Sequence, residues 1–203
     1  MKAFKFLTVA ATSMAISAAV YANDFSFTGN LANDDDVQLF TFTVGATSNV
    51  TLRTWSYAGG TNAAGQVIAR GGFDTILALF DSTGALINQN DDGGFANVAA
   101  DALTGMPWDT FLTALLDPGT YTVSVAQYDN FAIGPNLSNG FQGSGAVGFV
   151  DVSGVVPGNQ RDSHWAFDIL NVNSATTIPD TGSSALLVAG AMGLLLFVNR
   201  RRA

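Results

Sequence analysis

Apolar and polar residues alternate at every second position through much of the chain between residues 25 and 170. Phe25-Ser26-Phe27-Thr28 and Phe40-Thr41-Phe42-Thr43-Val44 each place their large apolar side chains on one face of an extended strand. Val50-Thr51-Leu52-Arg53, Tyr121-Thr122-Val123-Ser124-Val125 and Trp165-Ala166-Phe167-Asp168-Ile169 repeat the pattern. Thr75 to Phe80 is a continuous apolar run, suited to a strand buried on both faces. The turn residues Asp81-Ser82-Thr83-Gly84 follow it, and Ala85 to Gln89 is predicted to return as the hairpin partner. Trp108 to Leu116 carries Phe111, Leu112, Leu115 and Leu116 at a spacing that also fits a helix. Asp117-Pro118-Gly119 cuts that run after few residues, which favours a strand or short turn. About eight short strands with Gly, Asp and Asn turns between them predict one all-β domain, a β-sandwich or jelly roll, over residues 23–172. Residues 56–72 and 131–160 are glycine-rich and read as long loops, and 173–177 as a short polar linker.

The two ends follow a different pattern. Lys2 and Lys5 precede an apolar stretch from Phe6 to Ala19, and Val20-Tyr21-Ala22 supplies an acceptable cleavage site. Residues 1–22 therefore read as a signal peptide cut after Ala22, for the Sec translocon and signal peptidase. At the other end, Ile178-Pro179-Asp180-Thr181-Gly182 precedes an apolar run from Ser183 to Val198, and Arg200-Arg201-Arg202 follows. Sixteen helical residues rise about 24 Å, a little less than a bilayer core of about 30 Å. The arginines would stay on the cytoplasmic side.

Residues 178–203 resemble the sorting tails read by transpeptidase-type enzymes. They are most similar to the PEP-CTERM class in its VPDTG-like variant, which exosortases handle in Gram-negative bacteria. The tail also resembles the LPxTG signal of Gram-positive sortase substrates, with Ile178 in place of Leu. The resemblance implies transient anchoring in the inner membrane, processing near Pro179–Gly182, and delivery to the cell surface or beyond it. A plain C-terminal anchor that is never cut is the alternative.

Charge changes the picture once these ends are set apart. All sixteen acids are Asp, and both lysines lie in the signal peptide. Between Asn23 and Pro179 fifteen Asp face only Arg53, Arg70 and Arg161, a net −12 against −8 for the whole chain. Glu favours helices and Asp favours turns, so this composition argues against a helical bundle. The acidity excludes nucleic acid as a partner, and the absence of Cys excludes a disulfide scaffold.

The body itself resembles the pre-peptidase C-terminal (PPC-like) β-sandwich family. The resemblance rests on Phe73-Asp74-Thr75-Ile76-Leu77-Ala78-Leu79-Phe80-Asp81, Gly84, Asn90-Asp91-Asp92-Gly93 and Leu116-Asp117-Pro118-Gly119-Thr120-Tyr121. Asp34-Asp35-Asp36-Val37 and Gln127-Tyr128-Asp129-Asn130 extend it toward a branch found in exosortase-sorted proteins. It implies a sandwich over roughly residues 25–172.

Catalytic chemistry finds little footing. The single His164, near Asp162 and Asp168, has no nucleophile elbow to serve. Adjacent Asp91 and Asp92 do not form the paired carboxylates of a glycosidase. Calcium is the better candidate ligand, because Asp carboxylates and Asn amides in short turns supply its oxygens. Asp34, Asp36, Asn90, Asp91, Asp92 and Asp129 are the candidate ligands, with ordinary solvated turn caps as the alternative. Trp55, Tyr57, Trp108 and Tyr128 are candidate platforms for extracellular polysaccharide, and core packing is the alternative for each. The sequence thus predicts an exported, non-catalytic surface or matrix protein. A secreted carbohydrate-binding module, an anchored sortase substrate and an accessory domain parted from its enzyme are the competing readings.

Overall fold

The computed structural model describes residues 22–143, 145, 148–151 and 159–179. It is all-β, with two antiparallel sheets packed face to face. The first sheet has the order β1 (Asn23–Asn30), β10 (His164–Val172), β3 (Ser48–Thr54), β8 (Phe111–Leu116). The second runs β11 (Ser174–Ile178), β2 (Gln38–Val44), β9 (Gly119–Gln127), β6 (Thr75–Phe80), β7 (Leu86–Asn90). A small hairpin, β4 (Gly60–Thr61) with β5 (Val67–Ile68), lies in the 56–72 segment, which the sequence predicts as a long loop.

Alternation explains the core. Phe40, Phe42 and Val44 of β2 are buried while the residues between them are half-buried, and β3 repeats this with Val50 and Leu52. These side chains meet Leu77, Leu79, Leu112, Val123, Val125, Phe167 and Ile169 in one cluster between the sheets. Burying each large apolar side chain contributes about 1.5–3 kcal/mol. The apolar run of β6 is buried on both faces, as its sequence predicts. Its outer face is covered by the loop after β9, where Ala132, Leu137 and Phe141 pack with Leu86 over Ala78 and Phe80. The Phe111–Leu116 segment is a strand paired to β3, so cross-strand pairing decides the ambiguity of its spacing.

One expectation is corrected. Residues 173–177 are not a linker. Ser174–Ile178 form the edge strand β11, in register with β2 from Ser174↔Thr43 to Ile178↔Leu39. An edge strand packs on one side only, so it needs β-branched residues more than an apolar face. Thr176, Thr177 and Ile178 supply them, and Ala175 touches the core.

The two ends of the sandwich differ. The turns at 45–47, 81–85 and 117–118 are short and lie at one end, with Asn23, the first residue of β1, opposite Val172. Asp81 shapes its turn by accepting hydrogen bonds from Thr83 N (2.8 Å), Thr83 Oγ1 (2.7 Å) and Ala85 N (3.0 Å). At 117–121, the Tyr121 hydroxyl donates back to Asp117 O at 2.8 Å. The segments 31–37, 55–74, 91–110 and 128–163 all emerge at the other end, as does the chain after Ile178.

Candidate functional site

Eleven of the fifteen Asp of the body lie in those four long segments. Their packing is organised by a few buried carboxylates. Asp109, just before β8, accepts from Tyr57 N (3.0 Å), Ala58 N (2.8 Å) and Thr54 Oγ1 (3.1 Å). Burial pushes its pKa up, and these donors pull the other way. Beside it, Thr54 Oγ1 meets Thr75 Oγ1 (2.7 Å), which meets Thr110 Oγ1 (3.0 Å), a buried hydroxyl chain joining the ends of β3, β6 and β8. Asp168, pointing from β10, accepts from Ser26 Oγ (2.6 Å), Trp55 Nε1 (2.7 Å) and Ala63 N (2.9 Å), and so fixes the 55–64 loop. Asp101 is held by Arg70 (2.7 and 2.8 Å) and by the backbone of Leu103 and Thr104. Burial works to raise its pKa, but the bonds from Thr104 and Arg70 outweigh this and lower it. Arg161 is buried between Asp101 and Asp151, 3.5 Å from each, and lies 3.5 Å above the Tyr57 ring.

The four candidate aromatics do not form one platform. Tyr57 is 0% exposed, and its hydroxyl donates to Asp151 Oδ2 at 2.9 Å. Its ring is covered by Arg161 and tilted against half-buried Trp108, 5.2 Å between centroids. Tyr57 is therefore a core residue of the loop end. The Trp55 ring carries Arg53 at 3.7 Å, and Gly60 packs so close that a Cβ there would lie 2.7 Å from the ring. Tyr128 is half-buried, edge-on to Phe131 at 5.7 Å.

The candidate calcium turns divide into two groups. The 34–36 turn and the 129–130 turn come together, because Asn130 Nδ2 donates to Asp35 O at 3.0 Å. The carboxylates of Asp34 and Asp36, however, cap backbone. Asp34 accepts from Gly148 N (2.6 Å) and Asp35 N (3.1 Å), and Asp36 from Asn33 N (2.7 Å). Asn90 Nδ2 donates to Asp92 O (2.7 Å) and Phe111 O (3.0 Å), which ties the third turn to β8 instead. Asp91 and Asp92 lie near Asp74, and burial together with Asp91 pushes Asp92 up to about 6. Among the described residues, no three His or Asp side chains gather as metal ligands. His164 opens β10 with Nδ1 bonded to Asp162 and Nε2 3.1 Å from Ala69 O.

Sequence reasoning missed Asp101, Asp109 and Asp151, and took Asp74 and Asp168 only as parts of longer motifs. Two of these carried a signal. Asp168 sits between Phe167 and Ile169, and Asp74 between Phe73 and the apolar β6, where a charge has no place unless it bonds inward. Of the five residues read as a sorting motif, Ile178 is the last residue of β11, with its carbonyl accepting from Gln38 Nε2 at 3.0 Å. Pro179 follows it. Asp180, Thr181, Gly182, Arg200, Arg201 and Arg202, the apolar run from Ser183, and residues 1–21 of the segment read as a signal peptide lie outside the described residues. Among the described residues no helix is long and apolar enough to cross a membrane. No family model matches the chain, and no curated protein does either.

Proposed function

We propose that this chain is an exported, non-catalytic protein of the cell surface or extracellular matrix, a PPC-like β-sandwich delivered by a PEP-CTERM-type tail. The observation that carries this reading is the junction between domain and tail. β11 completes its sheet and ends at Ile178, the first residue of the motif. A transpeptidase acting near Pro179–Gly182 would therefore remove the tail and leave every strand in place. A non-catalytic role is supported by the loop end. Asp101, Asp109 and Asp168 are occupied by donors of their own chain, as expected of structural carboxylates.

In this reading the Sec translocon exports the chain, signal peptidase cuts after Ala22, and the Ser183–Val198 helix holds it in the inner membrane. An exosortase-type enzyme then releases it toward extracellular polymer. Mass spectrometry of the surface form tests the tail. A C-terminus between Pro179 and Gly182 is expected, and a mature form that still ends in Ala203 overturns processing.

A further inference from the structure

The two sheets are bounded by the edge strands β1, β8, β11 and β7, and all but one of these edges are blunted. β1 has a register shift between Asn23 and Phe25 and carries Asp24 there. β7 is irregular opposite Leu79 and Phe80, and the 135–136 segment covers it. Leu86 N donates to Pro135 O at 2.8 Å, and Ala85 bridges to Asn136. β11 stops at Pro179, which has no N–H to offer. Irregularities, charges, prolines and covering loops keep sheet edges from pairing with other chains. β8 has none of these. Phe111-Leu112-Thr113-Ala114-Leu115-Leu116 carries no charge, Pro or Gly, and its register with β3 runs unbroken from Arg53↔Phe111 to Ser48↔Leu116.

The ladder shows which groups of β8 are free. Thr54 N donates to Thr110 O at 3.0 Å, so Thr110 faces β3. Main-chain groups alternate sides along a strand, so Leu112, Ala114 and Leu116 also bond to β3. Phe111, Thr113 and Leu115 therefore point their N–H and C=O groups away from β3. Phe111 O follows this alternation, accepting from Asn90 Nδ2 on the open side at 3.0 Å. Thr113 and Leu115 lack such cover. Among the described residues nothing bonds to their outward main-chain groups. The side chains keep the same period. Leu112 and Leu116 are buried and Ala114 packs on the core, whereas Thr113 is exposed and Leu115 is 75% exposed.

We propose that β8 is the interface of a homodimer, in which the edges of two copies pair antiparallel about a two-fold axis at Ala114 and join their β8 sheets into one. Thr113 of each copy then exchanges both main-chain bonds with Leu115 of the other. The close, non-bonded position of such a ladder, where Cα atoms approach to about 4.5 Å, falls on Ala114, whose methyl group leaves room. Leu115 of each copy covers Thr113 of the other and leaves water. Charge selects a second copy as the occupant. Arg53 lies beside Phe111 at one end of the strand, and exposed Asp117 follows Leu116 at the other. Antiparallel pairing sets Asp117 of each copy opposite Phe111 of the other, one strand away from Arg53. Unlike charges thus approach at both ends, whereas parallel pairing would align like with like. The same patch is used by both copies, so association closes at the dimer.

The test uses the full chain in mild detergent at about 0.15 M salt, which screens repulsion between the acidic bodies beyond about 8 Å. In sedimentation equilibrium the protein mass should double as the concentration rises from about 1 μM to about 0.5 mM. Thr113→Pro removes an outward N–H and costs β3 no bond, so it should keep its circular dichroism and weaken the dimer at least about tenfold. Leu115→Lys, a charge at an exposed edge position, should weaken it likewise and serves if the proline variant does not fold. Amide exchange followed by NMR supplies a readout that association through the tail would not move. Thr113 and Leu115 N–H should exchange several-fold more slowly in the dimer, while Leu112 and Ala114 N–H, already bonded to β3, change far less. A parent chain that stays monomeric overturns the proposal and leaves the edge to an extended segment of a different protein. A dimer that withstands both substitutions, or whose Thr113 and Leu115 amides exchange as in the monomer, places the contact elsewhere and overturns it too. None of these results bears on tail processing, which is read separately at the C-terminus.

Discussion

A carboxylate between two large apolar residues is the feature of this sequence that most rewards close reading. Asp168 lies between Phe167 and Ile169 on a strand whose neighbours are buried, yet three donors converge on it. Asp168→Ala would leave Ser26 Oγ, Trp55 Nε1 and Ala63 N without their acceptor. Two of the donors sit near solvent, so a loss of about 2–3 kcal/mol is expected. For a domain of about 150 residues this lowers the melting temperature by about 4–10 °C, as circular dichroism would measure. Titration makes a second residue-scale prediction. A carboxyl whose folded pKa is raised binds its proton more tightly when folded, so stability falls as pH rises through the window between the unfolded and folded values. Asp92, raised to about 6, sets that window at roughly pH 4–6, and Asp74 extends it upward. Asp81 and Asp101 are lowered and act oppositely, losing their contribution below about pH 4. In chelator the chain should therefore melt highest near pH 4–5 and lower at pH 7. A melting temperature that climbs steadily from pH 5 to 7 would contradict the assignment of these groups. The identity of such residues is visible in sequence, but their partners are not, because Ser26, Trp55 and Ala63 reach Asp168 only through tertiary packing.

Strands were the most legible elements, for a physical reason. Where one face is buried against the other sheet, period-two alternation is obligatory, and β2, β3 and β9 show it. β11 was hidden by its position. At a sheet edge, half of its surface meets solvent, so Ser174-Ala175-Thr176-Thr177-Ile178 carries β-branched residues but no apolar stripe. The small β4–β5 hairpin was hidden in a similar way, since two-residue strands leave no periodicity to read. Besides its pairing with Leu39, the end of β11 is held by the Gln38 side chain. Gln38 Nε2 reaches both Leu39 O (2.9 Å) and Ile178 O (3.0 Å), and clamps the first residue of the motif to β2. Gln38→Ala should loosen residues 176–179 while the core is untouched. Limited proteolysis is expected to cut there several-fold faster than in the parent chain, with the melting temperature changed by less than about 2 °C. Equal cleavage rates would show that pairing to Leu39 alone holds the motif.

At the scale of the whole molecule, the antiparallel topology separates what the linear sequence interleaves. Short turns and Asn23, the first residue of β1, lie at one end of the sandwich, and the Asp-rich segments and Ile178, the last residue of β11, lie at the other. Only residues 179–182 separate β11 from the apolar run that begins at Ser183. Four extended residues span at most about 14 Å, whereas the nine-residue β10 is about 30 Å long. In the tail-anchored state proposed above, the loop end is therefore held against the membrane and the short turns point away. The acidic loops would then meet the lipid surface first, and exposed apolar residues such as Phe95, 73% exposed, would lie among them. Because the chain has no Cys, single-site labelling can test this orientation directly. Phe95→Cys and Ser82→Cys place one dye at each end, at exposed positions where substitution costs little. With the full chain in phosphatidylcholine vesicles carrying a lipid-bound energy acceptor, transfer from position 95 should clearly exceed transfer from position 82. Equal transfer would mean that the segment after Ile178 lets the sandwich tumble freely, and the short spacer would then impose no orientation on the domain.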